Sequence, residues 1–356
     1  MNERGSNVSK KTKVAMIGTG SICQSKHIPG YGLNPDAEII AICDINPDTL
    51  KKVGDSLGLA DKDRYLDYNE LLKRDDFEMV DICTPNYVHK DPTIKALLAG
   101  KHVIVEKPIA MNADEATEMC AAAKKSGKLL MCAQCMRWKA EGQALKRFIN
   151  AGQMGEIYYA RVQALRRRGV PSWGVFIDKE KQGGGPLIDI GVHILDLTLY
   201  LMGHPRPIAA SGKCYTKFGT RKGTFGTWGP WDYDNYTVED FATGLIRFDN
   251  GATLMIESSF CANIEKDVLN TSLMGTEGGC EFSPIKMYRE ECETLIDVTP
   301  VYLKQVDIHH AEINDFIDAI RNNKPSPVPG EQALITTKIL DAIYKSSDEG
   351  KEVAIK

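Results

Sequence analysis

An excess of either charge is missing from this chain: 44 Lys and Arg stand against 48 Asp and Glu, a net of −4 at pH 7. That balance argues against a general polyanion-binding surface, so no nucleic-acid partner is expected. Apolar runs long enough to span a bilayer, ~20 residues, are also missing, and no membrane partner is expected. The first residues, MNERGSNVSKK, hold no apolar signal-peptide core, which predicts a cytoplasmic chain. Internal repeats are absent. Cysteine is plentiful at ten residues, but no Cys/His cluster shows metal-ligand spacing. The CxxC of Cys132 and Cys135 has no second pair and reads as structural; Cys43, Cys83 and Cys261 lie in apolar runs, where cysteine acts as a small hydrophobe. The sequence therefore predicts no metal.

At 356 residues, 43% of them hydrophobic, the chain exceeds what one core usually supports and predicts two domains. In the first third, the runs VAMIG, EIIAICD, MVDICTP, HVIVEKP and LLMCAQC alternate with helical patterns such as NPDTLKKVGDSLG. Strand-helix alternation implies a parallel sheet covered on both faces, an α/β dinucleotide-binding domain over 1–135. Beyond it, a helix AEGQALKRFINAGQMG leads to long strand-like runs, EIYYARVQAL, FATGLIRFDN and GATLMIESSF, with a hairpin signal at DNGA and helices at the end. This predicts a second, α+β domain over 136–356 with a large, open, mostly antiparallel sheet, its terminal helices able to return to the first domain.

Glycines mark the first strand end, in KVAMIGTGSIC. Gly18 permits a tight turn, and Gly20 lets the backbone approach a pyrophosphate held on the following helix N-terminus. The next apolar run ends in Asp44, 24 residues beyond Gly20, near the spacing of a carboxylate that binds the adenosine ribose. A carboxylate repels a 2′-phosphate, and Ile45 supplies no cation, so NAD is preferred over NADP; the alternative for Asp44 is a helix N-cap. Two further strand ends, Thr84-Pro85-Asn86 and Glu106-Lys107-Pro108, fall at the same edge, where ligands of open α/β sheets bind. His89 follows on a first helical turn. Beside a cationic nicotinamide and partly desolvated, Lys107 should lose proton affinity and shuttle a proton near neutral pH.

The second cluster lies in GGGPLIDIGVHILDLTLYLMG. Gly183 to Gly185 read as a hinge-like lead-in, and Asp189 and His193, four apart, share one face of an apolar helix. A buried Asp/His pair, with Asp196 as a possible partner, is one reading; a general base with its orienting group beside hydride transfer is the other.

Together GTGSIC, Asp44, CTPNYVH, VEKP and GGGPLIDIGVH resemble the glucose-fructose oxidoreductase / inositol dehydrogenase / MocA (Gfo/Idh/MocA) family over nearly the whole chain. The resemblance implies Lys107, Asp189 and His193 as catalytic residues. It places Gly18, Gly20, Ser21, Ile22, Asp44, Thr84, Pro85, Asn86, His89, Glu106, Lys107 and Arg137 around NAD. Cys23 stands at the third small position of the glycine motif, and Cys135-Met136 where asparagine is common. The family acts on carbohydrates or cyclitols, so the implied substrate is a sugar, a glycoside oxidised at C3, or an inositol. A homo-oligomer built through the open sheet, a dimer or tetramer, is implied as well. Arg166, Trp173 and His309 are added as substrate contacts beside Lys107, Asp189 and His193; not all of Arg166 to Arg168 can face one site. Trp228, Trp231, Tyr233 and Tyr236 read as sugar-facing aromatics or as packing, within a 213–240 loop suited to a lid or a partner-facing excursion. Competing functions are a glycosidase or epimerase that returns its hydride to the substrate, and a non-catalytic NAD-binding regulator.

Overall fold

A computed structural model describes residues 11–356. Its first sheet holds six parallel strands in the order β3-β2-β1-β4-β5-β6: β1 (Thr12–Ile17), β2 (Ala37–Cys43), β3 (Arg64–Tyr65), β4 (Met79–Ile82), β5 (His102–Glu106) and β6 (Leu130–Ala133). The residues of β4 and β6 are all buried, as expected of strands with helices on both faces. Only the short edge strand β3 escapes the sequence reading, because two residues carry no apolar run. Register brings the strand ends level: Ile17 pairs Ile82, Ile82 pairs Val105, and Glu106 pairs Ala133. Gly18, Thr84, Lys107 and Gln134 therefore leave the sheet side by side, at the point where strand order reverses about β1.

The second sheet holds nine strands in the order β14-β13-β12-β11-β7-β10-β9-β8-β15. They are β7 (Ile157–Leu165), β8 (Pro207–Tyr215), β9 (Phe241–Phe248), β10 (Thr253–Ser259), β11 (Val268–Gly275), β12 (Gly279–Glu281), β13 (Lys286–Glu291), β14 (Thr294–Val298) and β15 (Val353–Ala354). β10 runs parallel to β7 and the other pairings are antiparallel. Leu195, Leu197 and Leu199 of helix Val192–Met202 and Ile339, Leu340 and Ile343 of helix Gly330–Glu349 pack with Val162, Ile246, Leu254 and Ile256 of the strands. Within 179–202 an apolar window is long enough to cross a membrane, but 83% of it is buried in protein, as in a core helix.

The terminal helices return to the first sheet. Ile313, Phe316 and Ile317 of helix Ile308–Arg321 join the core formed by β1, β4 and β5, and the Cys132 N–H donates to the Val328 carbonyl at 3.2 Å. The 213–240 segment has a small core of its own, in which Trp231, Tyr236 and Val238 pack on Val170, Ile190 and Phe260. The Asp240 carboxylate accepts from the N–H groups of Lys217, Phe218 and Gly219 at 2.6–2.8 Å. So anchored, the loop is a packed buttress where the sequence suggests a lid.

Candidate active site

Lys107 leaves the end of β5 next to a cis peptide with Pro108 and crosses to the apolar helix, where its Nζ donates to Asp189 Oδ1 and to the Asp189 carbonyl, both at 3.0 Å. Asp189 lies in a π-type turn, Leu187–Gly191, that widens the helix before the regular stretch carrying His193. The glycines before it act through close approach rather than as a hinge. A Cβ on Gly184 would lie 2.1 Å from the Tyr344 hydroxyl, and one on Gly185 2.1 Å from the Glu239 carbonyl. Glu239 then accepts from the Gly185 N–H at 2.8 Å, the Leu187 N–H at 3.1 Å and the Tyr344 hydroxyl at 2.9 Å, fixing where the turn begins.

Burial and the chain's own charges push Lys107 and His193 in opposite directions. Burial works against the Lys107 charge, but Asp189 and then Glu106 outweigh it, so the lysine pKa is raised and the group stays an ammonium. His193 moves the other way, down to about 3, through burial and the neighbouring Lys107 charge. Its Nδ1 is buried without a partner. Asp189 therefore orients the lysine, while the histidine is left neutral. Asp196 serves neither: it takes Arg137 in a bidentate pair, Nε to Oδ2 at 2.7 Å and Nη2 to Oδ1 at 2.8 Å, with Nη1 on Gln332 at 2.6 Å. Nε, Nη1 and Nη2 of Arg137 thus each donate to the second domain's helices, which makes the arginine a buried strut there.

A network the sequence reading missed stands behind Glu106. His27 contacts Asp81 at 2.7 Å through Nδ1 and Glu106 at 3.0 Å through Nε2, and the Tyr31 hydroxyl donates to Asp81 at 2.8 Å. Burial opposes the His27 charge, yet Asp81 and Glu106 raise its pKa well above the usual value. Burial likewise opposes ionisation of Glu106, but the hydrogen bond and charge of His27 prevail and hold it at about 2. The only signal in the sequence is polar residues inside apolar runs, Asp81 in MVDIC above all.

The nucleotide side fits a dinucleotide. Gly18 has φ +84°, and a Cβ there would meet the Cys83 and Thr84 backbone at 2.8 Å, whereas a Cβ on Gly20 would meet nothing within 4 Å. Ser21 is exposed and Ile22 half-buried just beyond, and Cys23 is wholly buried at the start of a π-type turn, Cys23–His27. The Thr84 hydroxyl is buried with no partner among the described residues, a polar atom left for a ligand. Asp44 receives the Thr19 N–H at 2.7 Å and the Thr19 hydroxyl at 2.9 Å; it is not the cap of the next helix, since Asn46 caps Asp48 and Thr49. Ile45 beside it is 87% exposed. Pro85 is exposed, and Asn86 turns away to donate to the Gln182 carbonyl at 2.9 Å. Wholly buried, His89 lies 2.8 Å from both the Pro108 and Thr84 carbonyls and braces two strand-end loops.

His193 and Arg166 line a cavity of about 370 Å³ with Cys135, Met136, Ile190 and Leu269. A larger hollow of about 670 Å³ lies at the sheet edge around Arg289, away from all these groups. The Arg166 guanidinium sits 4.6 Å from the Trp228 ring centre. Trp173, 56% exposed, packs on Trp228 at 5.4 Å. Arg167 and Arg168 are turned to the carbonyls of Glu265 and Ala262, so one arginine of three faces the cavity. Tyr233 rests on Trp231, which the loop core buries with Tyr236. His309 does not line the cavity; its ring lies 6.3 Å from that of His27.

Comparison with known proteins supplies what geometry leaves open. The Gfo/Idh/MocA profile "Oxidoreductase family, NAD-binding Rossmann fold" matches residues 12–134, and its companion "Oxidoreductase family, C-terminal alpha/beta domain" matches 146–355. The chain belongs to the Gfo/Idh/MocA family. Among curated relatives, the D-glucoside 3-dehydrogenase of Escherichia coli is 35% identical over 348 residues, covering 98% of each chain. The D-apiose dehydrogenase of Paraburkholderia graminis is 25% identical, covering 98% of this chain and 90% of its own. Levoglucosan dehydrogenase in complex with NADH and L-sorbose superposes with a TM-score of 0.84 at 22% identity, over 98% of this chain and 100% of its own, a likeness of fold alone. This Gfo/Idh/MocA protein is thus an NAD-dependent oxidoreductase of carbohydrates. Its NAD-binding domain is the first one, residues 12–134.

Proposed function

We propose that the protein oxidises a ring hydroxyl of a glycoside, C3 of a pyranoside being the position that its D-glucoside 3-dehydrogenase relative favours. Bound NAD would supply the hydride acceptor for that carbon. Lys107, kept charged by Asp189, donates a hydrogen bond to the reacting oxygen and stabilises the negative charge that develops there. The hydroxyl proton passes to His193, which is neutral and lines the cavity. Hydride and proton leave one C–H and one O–H bond, and a carbonyl remains. Trp173 and Trp228 offer ring faces to the sugar C–H surface, and Arg166 offers donors to its hydroxyls.

The observation that carries this reading is geometric: the Lys107 ammonium is held by Asp189 at 3.0 Å, and His193 lines the adjoining cavity with Arg166. Incubation with NAD and a panel of alkyl glucosides, free hexoses and inositols tests it: NADH should accumulate with glycosides, with a 3-keto product by NMR. Accumulation only with inositols overturns the substrate. Glycoside turnover without net NADH replaces oxidation with transient oxidation.

We also propose that copies associate through the open sheet face, where Leu245, Met255, Met274 and Tyr288 share the side away from the core. Light scattering on the wild type and on Met255→Lys/Met274→Lys tests this. A wild type that is already monomeric ends the proposal.

A further inference from the structure

Cys135 follows β6, while His309 and Glu312 lie three apart at the start of helix Ile308–Arg321. One ligand atom of each, a thiol sulfur, a ring nitrogen and a carboxylate oxygen, all lie within 4.8 Å of one another. Glu312 is 0% exposed, and among the described residues neither of its oxygens receives a hydrogen bond. His309 Nδ1, also without a hydrogen bond, stands 3.3 Å from Glu312 Oε1. That separation is long for a charged hydrogen bond, yet it matches the edge of a tetrahedron, about 3.3–3.4 Å, around an ion with bonds of about 2.0–2.1 Å to nitrogen and oxygen.

A buried carboxylate whose nearest donor, His309 Nδ1 at 3.3 Å, makes no aligned hydrogen bond to it must be satisfied by a proton or a cation. We propose that Cys135, His309 and Glu312 bind a divalent cation of the zinc class. Thiolate and carboxylate together neutralise its two charges, and the sulfur ligand selects zinc or cobalt over magnesium or calcium. Nearby His27 adds no uncompensated positive charge, because Asp81 and Glu106 flank it. Three protein ligands leave a fourth position open, the pattern of a site that admits water or a ligand oxygen. Cys135 also lines the cavity with His193 and Arg166, so the ion sits at the cavity wall. Binding releases the Cys135 proton to solvent. The sequence reading found no metal spacing because 174 residues separate the cysteine from the histidine.

The test titrates Co²⁺ into the tag-free full chain under anaerobic conditions. Expected are a sulfur-to-cobalt charge-transfer band in the near ultraviolet, strong visible bands of tetrahedral cobalt, one ion per chain, and displacement by Zn²⁺. The charge-transfer band should vanish in Cys135→Ser and persist in Cys132→Ser. Glu312→Gln and His309→Asn should each weaken binding about 10-fold or more. NADH binding and melting temperature verify that each variant is folded, and His309→Asn, at a half-buried position, serves if Cys135→Ser is not. No charge-transfer band in the wild type, or one that survives Cys135→Ser, overturns the site. Unchanged cobalt affinity in Glu312→Gln does so too, leaving Glu312 as a carboxyl that simply holds a proton.

Discussion

The ammonium of Lys107 grips Asp189 twice, through the carboxylate and the main-chain carbonyl, each at 3.0 Å. One group from the first sheet thus meets a widened turn of the second domain. Lys107→Met, similar in length but uncharged, should lower kcat by about 10²–10⁴-fold. NADH binding, followed by fluorescence, should remain. Near-normal turnover in that variant removes Lys107 from the chemistry.

His193 owes its low pKa to burial first and to Lys107 second. Removing the like charge in Lys107→Ala favours the imidazolium, so the His193 pKa should climb from about 3 while staying below 6.5, since burial persists. NMR titration of the labelled imidazole reads this. An unmoved value means that the two groups do not sense each other.

Glu106 titrates at about 2 in the fold against an ordinary 4.5. Its depressed pKa contributes on the order of 3 kcal/mol, fully present above about pH 4.5 and lost as pH falls toward 2. The raised pKa of His27 works in the opposite sense: its contribution is full below its ordinary 6.5 and is lost as pH rises through the folded value. His27→Gln should therefore move acid unfolding to higher pH and lower the melting temperature at neutral pH. Circular dichroism curves that superimpose on the wild type would refute the coupling.

Asp196 and Arg137 form a buried pair with both carboxylate oxygens engaged. Asp196→Ala should cost about 3–5 kcal/mol by denaturant unfolding, because it strands a buried guanidinium. NADH affinity of the folded fraction should be unchanged. A selective loss of NADH affinity would return Arg137 to the cofactor.

Trp173 is exposed and stacked on Trp228. Trp173→Ala should raise KM for the glycoside about 3- to 10-fold, as the loss of an aromatic contact of about 0.5–1.5 kcal/mol implies, and leave kcat near its original value. An equal KM places the ring outside the substrate path.

Period and strand-end chemistry made much of this legible. The parallel order of the first sheet, the glycine turn, Asp44 and the placing of Lys107 all follow from local patterns, and the helix bearing Asp189 and His193 follows from its apolar filling. What stayed hidden depends on tertiary pairing. Arg137 reads as a cofactor contact until Asp196, 59 residues away, consumes its donors. His89 reads as a cofactor contact on a first helical turn, because nothing local reveals the carbonyls of Thr84 and Pro108 closing over it. His27, Asp81 and Glu106 come from one helix and two strands whose side chains converge only once the sheet is built. The partner that holds the Lys107 charge is likewise tertiary, since Asp189 lies 82 residues further on.

The closing of the first core by Ile313, Phe316, Ile317 and Val328 sets an order on synthesis. A nascent chain that has reached only the end of β6 still lacks the side chains that cover its sheet, and it must wait for nearly two hundred further residues to leave the ribosome. The cofactor-binding half is first in the chain but among the last parts to be finished. Fragments ending near residue 135 should collect as aggregates, whereas chains cut only within the last strand should not.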